Sequence, residues 1–277
     1  MMRLTLAALA ALLCVCTALP AAEARDAAEV FDELAAIARA YPGAGVEMVC
    51  KETLRWRYFH EGGRTRWADQ AVQEYRVSRN ADGAIVERRT TDSTRATRLE
   101  ILDRPFFWLE LFAEPGAELH RFELRGEEEW EGRPALRVDF RPRAEEGRRG
   151  ADEWYGSIWL DPRSLQPLRA SGTRAGAYEA LRAMLDSEDE PPLPVEERTF
   201  LLERASTTFG LGAEVPVATD GETGVTEMRF PSEAELESSR HIVKLNGTRK
   251  KPTVLTLIKH EYADCRWVSD ESGDGAD

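Results

Sequence analysis

The stretch from Asp152 to Arg169, DEWYGSIWLDPRSLQPLR, constrains the fold more than any other part of the chain. Trp154, Gly156, Ile158 and Leu160 alternate onto one face, the period of a strand with one buried side. Asp161-Pro162-Arg163-Ser164 supplies turn chemistry, and Leu168-Arg169 begins the return. An amphipathic hairpin of this kind predicts an antiparallel sheet with one apolar face.

The same period recurs upstream. From Val46 it sets Met48, Cys50, Leu54, Trp56 and Tyr58 on one side, with Glu47, Lys51, Arg55 and Arg57 on the other. Glu61-Gly62-Gly63 and Asp82-Gly83 are hairpin-type turns, so strands near 46–58, 70–79 and 84–91 form an opening meander. Later strands are expected at 119–126, 134–141, 153–160, 168–174, 198–206, 226–230, 241–245 and 253–268. Such spacing predicts one long sheet that must curl.

Helical spacing of Val30, Leu34, Ile37 and Tyr41 predicts a helix from Asp26 to Ala40, with Asp26 and Glu29 as a capping box and Pro42-Gly43 as the stop. Two further segments read as helices that plug the curled sheet: Arg104 to Phe112, RPFFWLELF, and Ala177 to Leu185. The acidic, proline-rich run Asp186 to Pro194 reads as an exposed loop.

Met1, Met2 and Arg3, the apolar run Leu4 to Leu19 and the Ala22-Glu23-Ala24 motif predict a signal peptide over 1–24, cut near Ala24. That apolar run, about 16 residues, is short of the roughly 20 that span a bilayer, so no membrane span is expected. A periplasmic domain over 25–268 and a disordered acidic tail over 269–277 follow. Cleavage leaves Cys50 and Cys265, which are expected to bridge in an oxidising compartment and staple the first strand to the last; two buried free thiols are the alternative. A net charge of −13 argues against nucleic acid as a partner. The local basic clusters, Arg88-Arg89 among them, read as solvated strand ends.

Catalytic constellations are missing from the sequence: no H-E-x-x-H, no G-x-S-x-G and no phosphate-cradling loop occurs. His260 with Glu261, or His120 with nearby acids, are the proton-transfer candidates, although a lone histidine on a strand is more often structural. Glu127-Glu128-Glu129 invites a metal reading, but neighbours on a strand point to opposite faces, so they are expected to line a turn. No metal, cofactor or catalytic residue is expected. The functional candidates are apolar: Met48, Leu54, Trp56, Tyr58, Phe106, Phe107, Trp108, Phe140, Trp154 and Ile158 are expected to line a cavity, with ordinary core packing as the competing account.

GSIWLDPRSLQPLR, together with LRGEEEWEGRPALRVDF and its Glu131-Gly132-Arg133-Pro134 turn, resembles paired-strand segments of the outer-membrane lipoprotein carrier (LolA-like) superfamily. As an order of elements the resemblance covers residues 26 to 268. It implies a mainly β (α+β) fold, a single strongly curved antiparallel sheet forming a half-barrel with helices plugging the concave face. It further implies a non-catalytic periplasmic protein whose partners are the acyl chains of lipid or lipoprotein. An envelope-stress sensor or scaffold that contacts an envelope protein partner is the alternative use of this fold, and a hydrolase is a second.

Overall fold

The computed structural model describes residues 26–40, 46–60, 63–80, 85–90, 108, 111–112, 116–143, 154–174, 197–219, 222–244 and 250–269. Ten strands form one antiparallel sheet in the order β3-β2-β1-β10-β9-β8-β7-β6-β5-β4. They are β1 (Val46–Phe59), β2 (Thr65–Arg79), β3 (Ile85–Thr90), β4 (His120–Trp130), β5 (Arg133–Pro142), β6 (Trp154–Leu160), β7 (Pro167–Arg174), β8 (Glu197–Thr219), β9 (Glu222–Lys244) and β10 (Thr253–Ser269). The sheet stays open, with β3 and β4 as its edges, and curves into a half-barrel. Eight of its nine pairings join strands consecutive in sequence; the exception is β1 with β10. Between β3 and β4 the chain must cross from one edge to the other, and this crossover carries Trp108, Leu111 and Phe112 into the core.

Helix α1 (Ala27–Ala40) starts where Asp26 Oδ1 accepts from the Ala28 amide at 3.0 Å, the side-chain cap that unpaired first-turn N–H groups need. Val30, Leu34 and Ala38 make its buried stripe, and they share one cluster with Met48, Val138, Phe140, Ile158 and Trp108. A single helical turn, α2 (Gly116–Leu119), leads into β4. The β6–β7 hairpin follows its sequence chemistry: Asp161 Oδ1 accepts from the amides of Arg163 and Ser164 at 3.0 and 3.1 Å, and Leu165 takes the left-handed φ of 53° that closes the turn. Gly156 lies opposite Gly172, and a Cβ on Gly172 would come within 2.9 Å of the Trp108 ring. Gly172 leaves the space that the plugging indole fills, while Gly156 lets the β7 backbone at Ser171 and Gly172 approach closely.

Three expectations are corrected. Strands at 226–230 and 241–245 are parts of one strand, β9, which with β8 forms a hairpin of two 23-residue strands. The weakly patterned residues between them stay extended because they are paired on both sides, to β8 and to β10. Glu127-Glu128-Glu129 lie within β4, because the turn needs only Glu131 and Gly132, both at positive φ (49° and 78°). Ser269, expected in the tail, closes β10. The signal peptide, the Ala177 to Leu185 helix, the loop from Asp186 to Pro194 and residues 270–277 lie outside the described residues, as do Tyr41 and Pro42-Gly43.

Candidate functional site

Along β1 the concave face changes character every few residues. Met48 and Cys50 belong to the large cluster under α1 and Trp108. Leu54 and Trp56 belong to a separate cluster with Ala71 and Ile258, against which Tyr58 and Leu236 pack. Between the two stands Glu52, fully buried. The expected cavity residues are therefore not one patch. Met48, Phe140 and Ile158, with Trp154 packed on them, are core beneath the plug, to which Trp108 itself belongs; Leu54, Trp56 and Tyr58 lie beyond it. Phe106 and Phe107 lie outside the described residues.

In the large cluster the Trp108 indole donates to Thr207 Oγ1 at 3.0 Å, with the rings of Phe140 and Trp154 at 5.7 and 5.8 Å. Next to it the first and last strands are joined by the Cys50–Cys265 disulfide, across a Cα separation of 4.1 Å. The pairing there slips by one residue: Val49 faces Arg266 and Lys51 faces Ala263, so Asp264 and Cys265 share the place opposite Cys50. Asp264 absorbs the extra residue at φ 54°. Without this bulge, Cys265 would point away from the face that carries His260 and Tyr262.

Glu52 is the centre of a polar belt over four strands. His260 Nδ1 donates to its Oε1 at 2.6 Å, Arg89 Nε donates to Oε2 at 2.9 Å, and Gln73 Nε2 donates to Oε2 as well. Arg89 reaches this point from the edge strand β3 by lying over the Tyr75 ring, 4.9 Å from its centroid. The Tyr75 hydroxyl donates to Glu87, and the Tyr262 ring lies 5.1 Å from Tyr75 and 6.2 Å from His260. Burial alone would push the Glu52 carboxyl up; the His260 hydrogen bond and the Arg89 charge outweigh it and hold the group at about 2. Burial opposes the Arg89 charge, and the Glu52 carboxylate overrides it and raises the group. Burial, seconded by Glu87, pushes the Tyr75 hydroxyl well up.

The belt was not anticipated, although one signal for it is visible. Glu52 occupies the apolar side of the β1 alternation, between Cys50 and Leu54. His260 does not act with Glu261, which faces the other way and pairs with Arg55. Arg89, expected to be a solvated strand end, has a side chain only 11% exposed. His120 is buried beside Phe122 and Phe140, with Nδ1 at 3.0 Å from the Gly116 carbonyl. Both Glu52 oxygens already accept hydrogen bonds, an arrangement suited to holding β3, β2, β1 and β10 together rather than to passing a proton to a substrate. Among the described residues no group of three or more His, Cys, Asp or Glu could hold a metal ion.

Two described cavities open on the convex side. One, of about 530 Å³, is lined by Val49, Lys51, Val72, Glu74, Asp264 and Arg266 among others; the other, of about 290 Å³, lies over β4, β5 and β6. No described helix is long and apolar enough to cross a membrane.

No protein-family model and no curated protein matches the chain. Among solved structures it is similar to an outer membrane lipoprotein-sorting protein domain from Vibrio parahaemolyticus, at 10% identity and TM-score 0.43 over 90% of this chain and 95% of that one. A DUF1329 family protein from Desulfovibrio piger matches at 12% identity and TM-score 0.42, over 90% and 94%. A LolA superfamily protein from Nitrosomonas europaea matches at 7% identity and TM-score 0.34, over 85% and 92%. The half-barrel described above rests on this chain's own strand order and register.

Proposed function

We propose that the chain is a non-catalytic protein of the bacterial periplasm that binds acyl chains, as free lipid or as the lipid part of a lipoprotein, on its concave face. The observation that carries this reading is the second apolar patch. Leu54, Trp56, Ala71 and Ile258 are buried, yet no described residue of α1 or of the Trp108 segment belongs to their cluster. At the rim, Trp67 is 45% exposed and leans on Trp56 and Tyr58, with ring centroids 5.7 and 5.6 Å away. A hydrocarbon chain taken up there exchanges one buried apolar surface for another, so opening the patch costs little. The large cluster and the Glu52 belt act as the rigid floor beside it. The Cys50–Cys265 bridge suits an oxidising compartment.

Native mass spectrometry with lipid extraction, on protein purified from its own periplasm, tests the reading directly. Co-purified acyl lipid and competitive displacement of a fluorescent fatty-acid probe are expected. Protein that carries no lipid and binds no probe overturns it. Trp67→Asp, at an exposed rim position, should abolish probe binding; unchanged affinity in the folded variant would remove this patch from the site.

An envelope protein partner is the second reading, favoured by the convex depression around Val72, which is 52% exposed with Lys51, Glu74, Asp264 and Arg266 about it. Loss of partner binding on Val72→Glu, with lipid binding intact, would bring it to the front.

A further inference from the structure

Two fully buried tryptophans on the concave face are treated differently. The Trp108 indole N–H donates to Thr207. Trp56 is equally buried, at 1% exposure, and its Nε1 meets no acceptor among the described residues. A buried indole N–H ordinarily finds a partner, because a donor stripped of water and left unpaired costs stability. The side chains clustered about it, Leu54, Ala71 and Ile258, offer no acceptor atoms, and neither the hydroxyl of Tyr58, packed on the same cluster, nor the carboxylate of Asp69, opposite Trp56 on β2, takes its hydrogen bond. The missing partner is thus an oxygen that arrives with something else.

We infer that Trp56 Nε1 donates a hydrogen bond to the carbonyl oxygen of the bound acyl group, so that the site selects esters and amides over ether-linked or plain alkyl chains. This rests on the acyl-binding reading above and adds its specificity. An ester or amide carbonyl entering an apolar patch gives up its hydrogen bonds to water, and an aimed N–H restores one. An ether oxygen is a poorer acceptor, and an alkane has none. Trp56 lies between Leu54 and Tyr58 along β1, with Trp67 at the rim. The carbonyl then sits toward the rim, while the hydrocarbon runs over Leu54 and Ile258.

Matched 1-acyl and 1-O-alkyl lysophosphatidylcholines of equal chain length differ at this one group. Both should displace a fluorescent fatty-acid probe from the mature protein, the acyl form about ten-fold more tightly. Trp56→Phe keeps an aromatic ring and lacks the N–H, so it should bring the two affinities close to equality, whatever it does to both through lost apolar contact. Should that variant fold poorly, the indole N–H resonance of Trp56 in the unaltered protein serves instead: it should move downfield with the acyl ligand and stay in place with the ether. Equal binding of both ligands overturns the inference and leaves acyl binding standing, as does an acyl preference that survives Trp56→Phe or a resonance that ignores the carbonyl. Binding of neither ligand overturns the acyl reading and this inference with it.

Discussion

The half of the sheet from β4 to β7 and the seam where β1 meets β10 solve the same packing problem by different means. In the first, every pairing is a hairpin between consecutive strands, and the fill is apolar: Phe140, Ile158, Leu160 and Trp108 with α1 behind them. At the seam, the partners are 215 residues apart and are held by a disulfide, a bulge and a buried charge cluster. Short turns define a hairpin's register at almost no loop cost, whereas a pairing between distant strands needs contacts that only one register satisfies. A one-residue slip of β1 would send Glu52 to the convex side and leave His260 and Arg89 without their carboxylate.

The disulfide offers the largest lever on this contrast. Closing a loop of 215 residues contributes about 5 kcal/mol on the chain-entropy estimate. Reduction, or replacing both cysteines by serine, should lower the urea midpoint accordingly, and a midpoint indifferent to reductant would show that the seam needs no staple. Glu52→Gln should cost about 3–5 kcal/mol, the range for breaking a buried ion pair from one side, while Glu261→Gln on the convex face of the same pairing should cost under about 1 kcal/mol. Equal effects in denaturant titrations would break the distinction between the two faces.

Acid adds a sign that the apolar half does not share. The Glu52 carboxyl is held at about 2 against an ordinary 4.5, so its contribution is complete above pH 4.5 and is lost as the pH falls toward 2. The loss should be on the order of 3 kcal/mol and should vanish from the pH profile of Glu52→Gln; a profile common to both proteins would refute the depressed carboxyl. In the apolar half, Trp108→Phe keeps the plug's ring, removes the donor to Thr207 and should cost about 1–2 kcal/mol by thermal unfolding. A larger loss would mean that the plug depends on polar anchoring as much as the seam does.

Local periodicity determined much of this protein. The alternation in Met48 to Tyr58 and in Trp154 to Leu160, the Asp161 turn and the Val30-Leu34 stripe each specify an element through neighbours a few residues away, and the expected Cys50–Cys265 pair is joined. What lay beyond reach, apart from that pair, was what depends on partners set by the order of strands in the sheet. Glu52 looks like an error in an apolar row until Arg89 from two strands away and His260 from the other end of the chain arrive beside it. The division of the aromatic set into a filled core and a second patch likewise required knowing where the crossover lays Trp108. The bulge at Asp264 resets the alternation of β10, so a strict two-residue count places Cys265 on the wrong face. Sequence period reports which side of its own strand a residue occupies; only the tertiary fold decides what stands opposite, because that depends on strands brought together across the whole length of the chain.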